Sequence, residues 1–126
     1  MSEQSEALKK RTAEFARRVI ALCEKVLQTA AGQRMSGQLI DAATSVAADY
    51  RAACRGRSRA EFTAKIGTVA EEADECVGWL DLLISTKLLT ADDAEWERGE
   101  SSELTAIFAA SFKTAKGRTK KSPNRQ

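Results

Sequence analysis

Apolar and small residues recur along this chain in steps of four and three, and no other feature constrains its fold as tightly. The longest seam is Phe62, Ile66, Val69, Ala73, Cys76, Leu80 and Leu83, whose spacing alternates four and three without a break. An α-helix turns once per ~3.6 residues, so this spacing keeps the whole set on one side of a rod. A half-buried strand needs alternation by two, and no stretch of the chain shows it.

The same rhythm marks three more helices. Leu8, Thr12, Phe15, Val19, Leu22 and Val26 form a stripe that Ile20, Cys23 and Leu27 widen. They predict a helix over about residues 5–31, stopped at Ala31-Gly32-Gln33. Leu39, Ala43, Val46, Tyr50 and Ala53 predict a second over about 36–56. Alanines fill much of its remaining surface, so a neighbouring backbone can approach closely. Ser58-Arg59-Ala60-Glu61 has the form of a capping box, in which hydroxyl and carboxylate each take an end-of-helix N–H. It opens a third helix over about 59–88. Thr90, followed by Asp92 and Asp93, is an N-cap with acids in the first turn, where the helix dipole favours them. It opens a fourth over about 91–113, on Trp96, Leu104, Ile107, Phe108 and Phe112, with a kink or split expected at Gly99-Glu100-Ser101-Ser102. The only proline, Pro123, lies beyond all of them. The fold class is therefore all-α: an antiparallel up-down-up-down four-helix bundle over 1–112, followed by a basic tail over 113–126 expected to be disordered.

The chain's 126 residues suit one domain. No apolar run approaches the ~20 residues of a membrane span, and the first residues are polar, so the expected location is the cytoplasm. Cys23, Cys54 and Cys76 are far apart, and the chain has no histidine. Buried thiols are expected, with no metal and no cofactor. No Ser or Cys has a His base, and no glycine-rich loop cradles phosphate, so a non-enzymatic role is expected.

Charge is distributed unevenly. Six of the 20 cations and none of the 18 acids lie in 113–126 (Lys113, Lys116, Arg118, Lys120, Lys121 and Arg125), giving that segment +6 and the rest −4. A second basic group, Arg51, Arg55, Arg57 and Arg59 with Lys65, surrounds the corner between the second and third helices. Both groups are candidate nucleic-acid contacts. For the corner arginines the first expectation is intersubunit pairing with Glu71, Glu72, Asp74 and Glu75, ahead of phosphate contact; basic and acidic segments of one chain suit a head-to-tail ring. At ~100° per residue, Glu71, Asp74 and Glu75 share a face and Glu72 points away. Ala47, Tyr50, Arg51, Arg55, Trp79 and those four acids are the candidate oligomer interface.

The stretch Ala42-Ala43-Thr44-Ser45-Val46-Ala47-Ala48-Asp49-Tyr50-Arg51, with Ala53-Cys54-Arg55, Arg57-Ser58, Glu61-Phe62, Lys65, Glu71-Glu72-Ala73-Asp74-Glu75, Trp79-Leu80 and Leu82-Leu83, resembles the four-helix-bundle proteins encoded in 23S rRNA intervening sequences. The resemblance covers roughly Phe15 to Leu89. It departs from the usual pattern at Asp49, where Asn is usual, and at Ala52, where Glu is usual. What it implies is a homopentameric toroid. A related branch, the accessory variability proteins of diversity-generating retroelements, implies DNA or RNA and a reverse transcriptase as partners. The resulting expectation is an oligomeric accessory factor that binds nucleic acid, a reverse transcriptase or both. The alternative is a pentameric protein–protein scaffold that does not touch nucleic acid.

Overall fold

A computed structural model describes the backbone of residues 2–121 and the side chains of residues 2–118. Its helices are α1 (Glu3–Cys23), α2 (Ala30–Cys54), α3 (Arg59–Ser85) and α4 (Glu95–Lys121), with a 3-10 turn at Glu24–Val26 between the first two. There is no strand among the described residues. Short connections reverse the direction each time. The helices follow one another around the bundle: α3 packs along its length on α2 and α4, α1 leans on α2, and the α1–α4 seam is the shortest.

The apolar stripes meet in one core. Phe15, Val19, Leu39, Val46, Ile66, Val69, Leu80, Leu83, Leu104 and Phe108 are sealed from solvent. Each such side chain contributes ~1.5–3 kcal/mol by leaving water. Tyr50 and Phe108 pack at 5.2 Å between ring centroids, planes inclined by 45°. Cys23 and Cys76 are buried free thiols and Cys54 is half-buried. Burial pushes the Cys76 thiol up to about 12, which leaves it protonated and unreactive at neutral pH.

The ends of the helices depart from expectation in instructive ways. Helix α1 stops at Cys23, not near 31, and Gly32 belongs to the first turn of α2. Thr29 caps that turn, its Oγ1 accepting from the Gly32 N–H at 2.9 Å. A Cβ on Gly32 would lie 1.8 Å from the Val26 carbonyl oxygen, so the glycine serves close passage of two backbones and not a helix stop. At Ser58 the hydroxyl accepts from the Glu61 N–H at 3.1 Å as a capping box requires, but the Glu61 carboxylate takes the Arg57 N–H at 3.4 Å instead of that of Ser58. Thr90 and Asp93 do form a reciprocal pair, at 2.9 and 3.1 Å. Helix α3 ends in a Schellman motif: Lys87, at φ 64°, donates to the Ile84 carbonyl and Leu88 donates to that of Leu83.

Helix α4 is continuous through Gly99–Ser102. Ser101 is buried there, and its hydroxyl donates to the Arg98 carbonyl at 3.0 Å. Trp96, expected on the seam, lies outside it, with the Arg18 guanidinium 3.9 Å from its ring centre. Residues 113–121, expected as disordered tail, prolong α4. The side chains of Lys120 and Lys121, and Arg125 as a whole, lie outside the described residues.

Candidate functional site

Alternating helix direction brings the start of α1, the end of α2, the start of α3 and the end of α4 to one end of the bundle. The two basic groups of the sequence therefore share that end. Arg51 lies in the last turn of α2 and Arg55 caps it; Arg57 follows Gly56 in the break, and Arg59 is the first residue of α3. The last turns of α4 run beside α3, with the Phe112 ring against Gly67 so closely that a Cβ there would meet it at 2.9 Å. That contact sets Lys113, Lys116 and Arg118 near the same end. Lys116 Nζ is 5.6 Å from the centre of the Phe112 ring.

These side chains are exposed, and Arg51, Arg55, Arg57, Arg59, Lys65, Lys113, Lys116 and Arg118 form no ion pair among the described residues. Glu3, Glu6 and Glu61 are the acids nearest in sequence to this end, and Glu6 is taken by Lys9 at 3.1 Å. Arg59 gains nothing from its helix, since the N-terminal dipole disfavours a cation. The arrangement is a concentration of unneutralised positive charge, suited to a polyanion.

At this end the bundle is open. The first turns of α1 and the last turns of α4 stand apart, leaving a cleft of about 860 Å³ that reaches the core. Tyr50, Ala53, Phe62 and Ile66 contribute apolar lining, while hydroxyls such as Ser111 and Arg118 add polar groups. Nothing in the apolar spacing announces this cleft. It arises where the 110–118 part of α4 outruns its contact with α1, a property of packing and not of periodicity.

The candidate interface residues separate. Tyr50, expected at the interface, belongs instead to the core of the single subunit, buried against Phe108. Trp79 is half-buried on the core and Ala47 half-buried. Glu71, Asp74 and Glu75 are exposed and form no ion pair among the described residues. Glu72 turns inward instead, and its Oε1 is buried with no hydrogen-bond partner. Loss of solvent raises its carboxyl from the ordinary 4.5 to about 8; contact with the Asp49 carboxyl, then the charges of Glu75 and Glu71, add to the effect. The four acids are thus three surface charges and one proton-holding group.

Sequence reasoning missed the contacts that close α1 on α4. Arg11 makes a two-pronged pair with Glu100, at 2.6 and 2.9 Å, and reaches Glu103 at 2.8 Å. These contacts hold the guanidinium firmly protonated. Lys25 meets Asp93 at 3.3 Å, and Arg98 meets Asp81 across α3 and α4 at 2.6 Å. None of these pairs has a helical i to i+4 spacing, so only the assembled bundle reveals them.

An up-down bundle with an open, positively charged end defines the class: this is a small all-helical bundle protein. Within it, the chain belongs to the 23S rRNA-intervening sequence protein family, whose pattern matches residues 4–110. It is similar to the crystal structure of a protein with unknown function from the S23 ribosomal protein family of Bacteroides thetaiotaomicron. The two are 31% identical with a TM-score of 0.75, over 83% of this chain and 97% of that one. No curated protein matches the chain.

Proposed function

We propose that this protein is a non-enzymatic, oligomeric nucleic-acid-binding factor that acts alone or as an accessory to a reverse transcriptase. The observation that carries the reading is the gathering of Arg51, Arg55, Arg57, Arg59, Lys65, Lys113, Lys116 and Arg118, exposed and without ion pairs among the described residues, at one end of the bundle. Phosphates release condensed counterions on meeting such a surface, which makes binding sequence-independent and sensitive to salt. Repetition around a homopentameric ring multiplies the surface and raises its avidity. The role needs no catalytic group.

The test is duplex binding by the full chain over a salt series, beside the triple variant Arg55→Ala/Arg57→Ala/Arg59→Ala. Each phosphate contact contributes about −0.9 to the slope of log K against log salt, so the variant flattens it by up to ~3. An unchanged slope removes the corner from the mechanism. Absence of binding at low salt supports the second reading, a protein–protein scaffold. The observation behind that reading is the unpaired acidic face of Glu71, Asp74 and Glu75 among the described residues, which suits the basic surface of a second copy. Native mass spectrometry checks assembly: the ring requires a fivefold multiple of 13.7 kDa, and a lone subunit at tens of micromolar refutes it.

A further inference from the structure

We infer that the cleft at the basic end receives an unpaired base, so that the protein selects single-stranded nucleic acid over duplex. The inference rests on the nucleic-acid reading and names the form of polynucleotide that site takes. Charge alone does not ask for a cleft; a flat basic surface serves a duplex as well. Here Arg118 lines an opening of about 860 Å³ at the basic end of the bundle. Sites for small molecules are typically ~300 to ~1000 Å³, so the opening is of that kind. Its walls are short. The α1 part of the lining runs from Ser2 to Leu8. Seven helical residues extend only ~10 Å, too little for a double helix and enough for a base.

The lining has the chemistry of a base site. Phe62 is half-buried, leaving part of its ring open to the cleft, and Ile66 and Ala53 continue the apolar surface. Aromatic faces of this kind stack bases with little regard to sequence. The hydroxyls of Ser111 and Thr114 suit the polar edges of any base, because a hydroxyl donates and accepts. Arg118 stands in the lining, and Gly56, also in the lining, carries exposed Arg55 and Arg57 on either side. An occupant must therefore bring an apolar, planar body with negative charge before and after it. A single strand does so at every nucleotide; a duplex hides its bases, and an acidic peptide lacks the repeated plane.

Fluorescence anisotropy of the full chain tests this, with labelled single strands of about 15 nucleotides, as DNA and as RNA, against a duplex of equal length. Phosphate contact alone favours the duplex, which carries twice the charge. The expected result is the reverse, a single-strand preference of at least about fivefold. Ala110→Trp fills the cleft from an exposed position on α4, and Phe62→Ala removes the stacking ring; both bring single-strand affinity down to the duplex value and leave duplex binding unchanged. Circular dichroism of Ala110→Trp confirms that the bundle is intact. Equal affinity for both forms, or single-strand binding untouched by Ala110→Trp, overturns the base site while leaving the basic surface standing. No binding of either form overturns both.

Discussion

The α1–α4 seam and the basic end of the bundle use the same residue types to opposite effect. Along the seam the cations are engaged. Arg11 grips Glu100 and Glu103, Lys25 meets Asp93, and Arg18 lies over Trp96. At the basic end Arg55, Arg57, Arg59, Lys113 and Arg118 form no ion pair among the described residues. Helices α1 and α4 approach one another over a short length, so long charged side chains bridge what apolar contact does not. Where α4 continues past that contact the bridges end, the bundle opens, and the cations stay without ion pairs among the described residues. A cation's role here is decided by what its helix neighbours place opposite it, not by its own chemistry.

The contrast can be broken at several points. The largest effect is expected at the α1–α2 connection, which sets how α1 lies on the bundle. Gly32→Ala sets a methyl group against the Val26 carbonyl and forces the α1–α2 turn to move, lowering stability by about 3 kcal/mol in a urea melt. A cost under ~1 kcal/mol means that connector is looser than the structure shows. Next comes Arg11→Ala. The Glu100 side chain is only 10% exposed. Losing its partner costs about 2 kcal/mol, read in the same melt.

Glu72→Gln sharpens the comparison between α3's inward and outward acids. The folded Glu72 carboxyl titrates at about 8 and the unfolded one near 4.5, so the folded protein holds the extra proton between them. Stability therefore falls as pH rises through that window, and the loss is complete above about 8. Glu72→Gln removes this slope and is more stable than the natural chain at pH 8 by roughly 1 kcal/mol, the screening of a half-exposed group included. A pH-independent melting temperature from 5 to 8 in the natural chain contradicts the inward placement. Lys87→Gly, relieving the left-handed residue at the end of α3, raises stability by about 0.5–1 kcal/mol. Smallest of all is Arg57→Ala at the basic end, expected within ~0.5 kcal/mol of the natural chain. If it costs as much as Arg11→Ala, the corner arginines are structural and the contrast collapses.

Much of this architecture is legible in the residues. The seam from Ile66 to Leu83 is buried as its spacing predicts, as are Phe15, Val19 and Leu22 on α1 and Leu39, Ala43 and Val46 on α2. The cap at Ser58 stands where its side chain places it, whereas Thr90, read as the cap of the fourth helix, pairs with Asp93 in a turn that precedes the start of α4 at Glu95. Gly32 reads as the stop of one helix and belongs to the start of the next, because a glycine needed for close passage looks the same in sequence as one that ends a helix. Ile20 and Leu27 widen the stripe of α1 in the sequence, yet both are exposed. They stand at the stripe's edge, where burial depends on whether a neighbouring helix is present. The meeting of the two basic groups is within reach of sequence reasoning, since alternating helices must bring the 55–59 corner and the end of α4 together.

The sequence by itself determined which residues turn inward along each helix, because the period of an apolar stripe is a local property of a helical backbone. Only the tertiary structure decided which charges are neutralised and where the bundle stays open, because those depend on how far two helices distant in sequence remain in contact. Arg11 and Arg57 read alike in the chain; one has a nearly buried carboxylate beside it, and the other faces solvent.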